Sequence, residues 1–337
     1  MPETVAPGLQ LLTMVNGYQL SQAISTAAEL RIADALAAGP RSAAEIAAVV
    51  GAHPDALHRL LRALASAGLL HESEEGLFEL TALGQPLRSD VPGSLRGWAE
   101  FAGRPYHRAA WAALPHSIRT SETAFDHVYG SSVWEYREGH PEESAIFDAA
   151  MSSLTGRMIP ALLDSYDFGR FRRLADLGGG NGTLLAAVLA RYNGPRGVLF
   201  DLAHVVAASG PVFEAAGVAD RYETVAGSLF EAVPPACDGY MLKSVIHDCT
   251  DEQSIAILAR CRAAMETGAS VLVIERPLAG PNEGAAMKFS DLNMMVNNGG
   301  RERTRQEYAG LFSAAGLKLW GLVEAPGGWA VIEGRPA

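Results

Sequence analysis

The chain has 337 residues, a net charge of −11 and an apolar fraction of 48%. This length exceeds what one hydrophobic core usually supports and predicts two domains, and the apolar fraction excludes a largely disordered chain. The negative charge argues against nucleic acid or an anionic membrane as the main partner, because both attract Lys and Arg.

The sequence also shows no targeting or cross-linking signal. No apolar run approaches the roughly 20 residues that span a bilayer. The first ten residues, MPETVAPGLQ, lack the basic and apolar regions of a signal peptide. The three cysteines, Cys237, Cys249 and Cys261, form no CxxC pair, which argues against a disulfide framework or a structural zinc site. These features predict a cytoplasmic protein.

The first 95 residues predict a mainly helical domain with a winged-helix arrangement. One helix ends at Gly51, a second begins at Pro54 and ends at Gly68, and HESEEGLFELTALG predicts a short hairpin. Two uses of such a domain remain open, DNA binding and dimerisation. The second helix carries only Arg59 and Arg62 rather than a basic stripe, which favours dimerisation.

Residues 96–165 predict a helical segment that is rich in aromatic side chains. Aromatic side chains suit a flat apolar ligand, although their helical spacing indicates that most belong to the core. The aromatic residues of this segment include Trp98, Phe101, Tyr106, Trp111, Phe125, Tyr129, Trp134 and Phe147.

Residues 166–337 predict an α/β domain. Short apolar runs alternate with helical stretches, in LADL, GVLFDL, RYETVAG, DGYMLKSVIH and ASVLVIERP. Strands separated by helices of this length are typical of βαβ units and a parallel sheet. The last two runs, LKLWGLVEA and GGWAVIEGR, predict two strands around a Gly-Gly turn that close the sheet with an antiparallel edge.

The glycine-rich turn DLGGGNG, from Asp176 to Gly182, follows the first of these strands. Glycines let a backbone approach a ligand, and the helix that follows presents unpaired N–H groups. The spacing does not fit the dinucleotide pattern G-x-G-x-x-G/A, because counting from Gly178 places Thr183 at the last position. A purely structural turn remains the alternative.

Asp201 lies at the end of the second strand, about 20 residues after the turn. A carboxylate at this position can accept hydrogen bonds from both ribose hydroxyls of a nucleoside. An aspartate at a strand end can also simply cap the next helix. The turn and Asp201 together favour nucleoside binding.

With these motifs the chain resembles the S-adenosylmethionine-dependent O-methyltransferases of plant and bacterial secondary metabolism, over nearly its whole length. The resemblance implies an α/β fold with a Rossmann-like seven-stranded methyltransferase sheet in residues 166–337. It implies a winged-helix dimerisation domain in residues 1–95 and a helical substrate-binding segment in residues 96–165. It also implies a homodimer, and the apolar opening helices LQLLTMVNGYQLSQAISTAAEL offer a pairing surface.

The resemblance implies S-adenosyl-L-methionine as the cofactor, with S-adenosyl-L-homocysteine as its product. DLGGGNG resembles the first cofactor motif, LFDLAHVV the ribose-binding strand end and GSLFEAVP the adenine site. Arg157 would meet the methionine carboxylate. The cofactor-binding residues implied are Arg157, Asp176, Gly178, Gly180, Asp201, Leu202, Ser228, Leu229 and Lys243.

Two residues depart from the family pattern. Ser228 stands where the family usually has an Asp near the adenine amino group, so a contact there would run through a shorter hydroxyl or a water. Cys249 replaces the usual Trp after His247 and Asp248, which makes one wall of the pocket smaller and suggests a bulkier acceptor or an altered orientation.

LKSVIHDCTDE resembles the segment with the catalytic base, which would be His247. A His can remove a phenol proton during attack on the methyl group, and a carboxylate on its far ring nitrogen holds the tautomer. Glu275 and Glu302 match the supporting acids. A His that is merely packed at a strand end is the alternative, but the strand exit favours a base. The other histidines form no HxH or HxxxH pair, so we expect no metal.

The acceptor should be a small, flat and apolar molecule with a hydroxyl group. The residues expected to contact it are Phe147, Met151, Asp248, Met294 and Asn298. Other reactions remain open on the same scaffold, namely N-methylation, hydroxylation or a rearrangement. A winged-helix DNA-binding regulator with a degenerate enzyme domain is an alternative from another class.

Overall fold

The structure is a computed structural model, and it describes residues 6–337. Its contacts divide the chain into two units. The N-terminal unit comprises the residues up to Arg108 together with His140–Arg157, and the sheet unit comprises Ala109–Gly139 and Met158–Ala337. The three segments expected from the sequence, 1–95, 96–165 and 166–337, stay a prediction, and their first five residues lie outside the described part.

The helices are, in chain order, α1 (Pro7–Val15), α2 (Gly17–Glu29), α3 (Ile32–Ala35), α4 (Ala43–Val50), α5 (Pro54–Ser66), α6 (Arg96–Ala102), α7 (Pro105–Ala112), α8 (Leu114–Thr120), α9 (Ala124–Tyr129), α10 (Val133–Glu138), α11 (Pro141–Ser165), α12 (Thr183–Arg191), α13 (Ala203–Val206), α14 (Gly210–Ala215), α15 (Asp251–Ala264), α16 (Ala285–Asn297) and α17 (Arg305–Ala314). The strands are β1 (Arg41–Ser42), β2 (Leu70–Glu72), β3 (Leu77–Leu80), β4 (Arg173–Leu177), β5 (Arg196–Asp201), β6 (Tyr222–Ala226), β7 (Cys237–Lys243), β8 (Met265–Glu275), β9 (Leu317–Ala325) and β10 (Trp329–Pro336).

The N-terminal unit contains the predicted helix, helix and hairpin. A capping box formed by Ser42 and Glu45 begins α4, and Gly51 ends it in the left-handed conformation that glycine tolerates. Proline at the first position begins α5, as expected. Strands β2 and β3 pair antiparallel, and β1 pairs with the free side of β3. The winged-helix prediction is confirmed.

The sheet unit contains seven strands in the order β6-β5-β4-β7-β8-β10-β9. The first five of these run parallel, and β10 and β9 pair antiparallel at the end of the sheet. The predicted strands and the antiparallel edge are therefore confirmed. Sequential crossovers to both sides of β4 make this a doubly wound α/β sheet.

Both faces of the central strands of this sheet are buried, and successive residues of a strand enter different cores. Ala175 and Leu177 of β4 pack into one core, whereas Leu174 packs into the other. This period of two explains why the central strands read as continuous apolar runs, because neither face meets water.

The parallel strands end at the same edge of the sheet, and the candidate residues lie there. Strand β5 ends at Asp201, β7 at Lys243 and β8 at Glu275, and the glycine turn follows β4. Ligands of open α/β sheets bind outside these carboxyl ends. Among the described residues, no helix has the length and apolar character needed to cross a membrane.

Candidate active site

The glycine turn adopts positive φ angles, at which residues other than glycine would be strained. Gly178, Gly180 and Gly182 have φ angles of +65°, +61° and +82°. A Cβ on Gly182 would lie 2.4 Å from the Phe213 ring, so this glycine also serves packing. A Cβ on Gly180 would meet nothing within 4 Å, which leaves open space directly above the turn.

Asp176 lies under this turn and is almost completely buried. Burial raises the pKa of its carboxyl to about 7, although the positive charge of Lys243 opposes the rise. Its Oδ2 atom receives no hydrogen bond from the described residues. A buried acceptor without a donor is costly, so it points to a polar or cationic ligand group.

Asp201 is held at the end of β5 by two backbone groups. Its Oδ2 accepts from the N–H of Gly180 at 2.9 Å, and its Oδ1 accepts from the N–H of Leu202 at 2.7 Å. Each carboxylate oxygen retains a second lone pair for a ligand hydroxyl. The turn and Asp201 are therefore directly hydrogen-bonded, and their joint role in nucleoside binding stays a prediction.

Apolar side chains flank the same turn. Leu202 and Phe230 are about half exposed, and Leu229 lies close to the point where a Gly178 Cβ would stand. The Ser228 hydroxyl accepts a weak hydrogen bond from the N–H of Phe230 at 3.3 Å. Apolar faces beside a paired carboxylate, a buried acid with one oxygen that lacks a donor, and an open glycine turn fit a nucleoside with a cationic substituent.

His247 lies in a short 3₁₀ turn, Ile246–Asp248, directly beyond the end of β7. Its Nδ1 atom is 3.1 Å from Oε1 of Glu302 and 3.6 Å from Oε2 of Glu275. Its Nε2 atom is 3.6 Å from Oδ1 of Asp248. The ring therefore has two acids on its Nδ1 side and one on its Nε2 side.

The two supporting acids are anchored from other directions. Glu302 accepts at Oε1 from the Ser290 hydroxyl of α16 at 2.8 Å. Glu275 accepts at Oε1 from the backbone N–H groups of Val245 and His247, at 3.2 and 3.3 Å. Both carboxylates are only 1% exposed. The structure thus brings together the three residues that the sequence proposed for catalysis.

Electrostatics of this cluster favour a proton on His247. Burial alone would lower the pKa of His247, but the charges of Glu275 and Asp248 outweigh it and raise that pKa to about 10. Burial raises the pKa of Glu275 to about 7 against the pull of the His247 charge. Burial would also raise the pKa of Glu302, but its hydrogen bond with His247 lowers it instead. Glu302 is therefore the charged partner of the ring.

Asp248 connects His247 to the end of α16. The amide Nδ2 of Asn298 donates to Oδ1 of Asp248 at 2.5 Å and lies 3.7 Å from the Met294 sulfur. Three of the five residues expected to contact the acceptor thus lie together beside His247. Burial raises the pKa of Asp248, and the charges of His247 and Arg137 counteract this.

The remaining predicted contacts belong to the N-terminal unit. Phe147 stacks edge-on against Phe101, with ring centres 5.5 Å apart. Met151 lies on α11, where its carbonyl accepts from the Thr155 hydroxyl. The Arg157 guanidinium donates to the Gly93 carbonyl at 3.2 Å. Their roles toward acceptor and cofactor stay predictions.

Three residues near His247 were not singled out from the sequence, namely the buried Arg137 and the partly buried Ser290 and Asp291. Ser290 orients Glu302, and Asp291 accepts from the Glu302 N–H at 2.9 Å. Arg137 is a buried cation whose guanidinium lies over the Trp134 ring. Short polar residues on a helix and an arginine in a charged stretch usually face solvent, so no feature of the sequence pointed to them.

Within residues 6–337, one group of three side chains could bring metal-binding atoms together, namely His247, Glu275 and Glu302, whose ligand-type atoms lie within 4.8 Å of one another. The expectation that the reaction needs no metal stays a prediction. Cys249 is buried and donates from Sγ to the Val245 carbonyl at 3.5 Å.

Comparison with known proteins points to one family. The profile of the O-methyltransferase domain matches residues 111–318, and the profile of the O-methyltransferase dimerisation domain matches residues 12–90. The phenazine O-methyltransferase of Lysobacter antibioticus is 40% identical over 326 residues, which cover 97% of this chain and 95% of the relative.

Two further proteins are similar over most of their length. The O-demethylpuromycin-O-methyltransferase of Streptomyces alboniger is 39% identical over 334 residues, covering 97% of this chain and 89% of the relative. The solved O-methyltransferase from neocarzinostatin biosynthesis holds S-adenosylmethionine and 2-hydroxy-5-methyl naphthoic acid. It superposes with a TM-score of 0.80 at 35% identity and covers 94% of this chain and 96% of its own.

The cluster geometry makes a direct electrostatic prediction. The substitution Glu275→Gln keeps the hydrogen-bond acceptor but removes a negative charge near Nδ1 of His247. We expect the pKa of His247 to fall by about 1 to 3 pH units, measured by the ring ¹⁵N shifts in NMR. Glu266→Gln, at an exposed ion pair with Arg172, is the control. An unchanged His247 titration in Glu275→Gln would contradict the prediction.

Proposed function

This chain belongs to the S-adenosylmethionine-dependent O-methyltransferase family, and we propose that it methylates a hydroxyl group of a small aromatic natural product with His247 as general base. The observation that carries the proposal is the orientation of the His247 ring. Two buried carboxylates hold its Nδ1 side, which directs Nε2 away from them.

When bound, S-adenosylmethionine supplies an electrophilic methyl group on its sulfonium. We propose that the glycine turn and Asp201 hold the nucleoside, and that Leu202, Ser228 and Leu229 contact its adenine ring. Asp176 and Lys243 are proposed as further cofactor contacts, and Arg157 is proposed for the carboxylate of the methionine portion. Asp176 suits a cationic ligand because the buried Oδ2 atom of its carboxyl has no donor among the described residues.

His247 then removes the proton of the acceptor hydroxyl at Nε2. A phenol has a pKa near 10, and the raised pKa of His247 makes the ring a comparably strong acceptor. The negative charge of Glu302 stabilises the imidazolium that forms, and Glu302 fixes the tautomer by its contact with Nδ1. The base must be unprotonated before attack, so the rate should rise with pH through the pKa of His247.

The proposed acceptor class is supported by the side chains beside His247 and by the substrates that the names of relatives specify. Met294 lies beside the Asp248–Asn298 pair, and thioether side chains accommodate flat apolar molecules. Phe147 and Met151 are proposed as further contacts. The names of relatives specify phenazines and the naphthoic acid found in one solved complex. A hydroxylated aromatic ring system is therefore the class we propose to test.

We also propose a homodimer formed through the N-terminal helices. Helix α1 has an apolar surface in which Leu9, Leu11, Leu12, Met14 and Val15 are all more than half exposed. An exposed apolar stripe of this kind favours association. The matching dimerisation profile covers residues 12–90. A cytoplasmic location stays a prediction.

The role of His247 is tested by His247→Ala with hydroxylated phenazines, naphthoic acids and benzoic acids as acceptors. We expect kcat to fall by about 10²–10⁴-fold, because the proton acceptor is lost. Acceptors with more acidic hydroxyls should lose least. The control is His53→Ala, an exposed residue without a side-chain capping bond. Unchanged turnover, or a product methylated on nitrogen by NMR, would overturn the proposal.

The cofactor site is tested by calorimetry with S-adenosylhomocysteine. Gly180→Ala places a Cβ in the open space above the turn, where the ligand is proposed to bind. A steric conflict between this Cβ and the ligand costs about 1–3 kcal/mol, so we expect the Kd to rise about tenfold or more. Gly217→Ala has a similar φ of +68° and equally open surroundings, and serves as the control for backbone strain. Equal Kd values for the two variants would count against this site.

The dimer is tested by light scattering at micromolar concentration. The wild-type protein should show twice the mass of one chain, and Leu12→Asp should shift it toward the monomer, because a charge in an apolar interface is costly. Ile118→Asp alters an exposed apolar residue on α8, outside residues 12–90, and should leave the dimer intact. A monomeric wild-type protein would refute the interface.

A further inference from the structure

The fixed position of His247 needs a cause, because a short 3₁₀ turn has few hydrogen bonds of its own. The turn lies between the end of β7 and the start of α15. The Ile246 carbonyl accepts from the Cys249 N–H within the turn, and the segment 300–303 supplies further donors to the carbonyls of Ile246, His247 and Cys249.

Arg303 is the largest fully buried side chain of the described residues, with 1% exposure. Its Nη1 donates to the Ile246 carbonyl at 2.8 Å, and its Nη2 donates to the Cys249 carbonyl at 2.8 Å. One guanidinium therefore binds backbone carbonyl groups on both sides of His247 in the chain. A planar fork with five donors is suited to such a bridge, and an ammonium is not.

Asp251 orients this guanidinium. Its Oδ1 accepts from Nε of Arg303 at 2.9 Å and from Nη2 at 2.8 Å. The Asp251 side chain is about half exposed, so the buried charge of Arg303 has a partner at the protein surface. The ion pair offsets part of the cost of burying a cation.

The backbone of segment 300–303 makes further contacts with the same turn. The N–H of Arg301 donates to the His247 carbonyl at 2.8 Å. A Cβ on Gly300 would lie 2.0 Å from that carbonyl oxygen, so only glycine allows the approach. Glu302, between these residues, contacts the ring at Nδ1. Neighbouring residues thus hold the backbone and the ring of one histidine.

We propose that Arg303 is a positioning residue that fixes His247 against its supporting carboxylates and sets the base for proton removal. This inference rests on the proposed function of His247. Arg303 acts through the backbone of the base and touches neither acceptor nor cofactor. Its removal should therefore impair the chemical step and leave cofactor binding intact.

The test compares Arg303→Lys with Arg305→Lys, an exposed arginine two residues away. Lys keeps the charge but cannot bridge both carbonyls. We expect kcat for the hydroxylated acceptors to fall about 10- to 100-fold, as for a catalytic group displaced by about 1 Å. The KM and the Kd for S-adenosylhomocysteine should stay within about twofold. Arg305→Lys should match the wild type.

A second readout does not depend on turnover. If Arg303 holds the ring beside Glu302 and Glu275, then Arg303→Lys should lower the pKa of His247 in the ligand-free protein, followed by ring ¹⁵N NMR. This shift would support the positioning role even if no acceptor were methylated, which separates its failure from failure of the proposed function. Unchanged kcat and unchanged His247 titration would overturn the proposal.

Should Arg303→Lys not fold, Asp251→Asn replaces it. Asp251 is half exposed, and the change weakens the orientation of the guanidinium without removing it. We expect kcat and the His247 pKa to fall as in Arg303→Lys, but by smaller amounts. A folded Asp251→Asn protein with wild-type values of both would contradict the inference.

Discussion

The contact between His247 and the buried carboxylate of Glu302 is the interaction on which the site depends. Two carboxylates with 1% exposure, Glu275 and Glu302, would be costly in the core without a cationic or hydrogen-bonding partner. The imidazole supplies that partner, and in return the acids raise its pKa and fix its tautomer. Removal of any member would leave the others poorly paired, so the cluster acts as a unit.

The fold explains why such a cluster can form at the edge of the sheet where we propose that the acceptor binds. Glu275 ends β8 and His247 follows β7, so two neighbouring parallel strands place these two side chains at one edge. Glu302 lies in the loop after α16, and Arg303 connects that loop to the turn that contains His247. The glycine turn after β4 and Asp201 at the end of β5 occupy the same edge, where they form the nucleoside site that we propose.

Much of the fold could be predicted from the sequence, because its signals are local. Short apolar runs such as LADL and GVLFDL indicate the strands, Gly51 indicates the end of one helix and Pro54 the start of the next. The link between the glycine turn and Asp201 was also predictable from spacing. The pairing of His247 with Glu275 and Glu302 came only from family resemblance, since 28 and 55 residues separate them in the chain. Arg303 and Ser290 gave no signal, because the contacts of a polar side chain are decided by non-local packing.

The most direct test of the central claim is a crystal structure with S-adenosylhomocysteine and a hydroxylated aromatic acceptor that the enzyme turns over. A base at Nε2 predicts the acceptor oxygen at about 2.6–3.2 Å from that atom, or one bridging water away. Nδ1 should still face Glu302 in the same complex. An acceptor hydroxyl bound away from His247, with the ring contacting only protein groups, would contradict the assignment of His247 as the base.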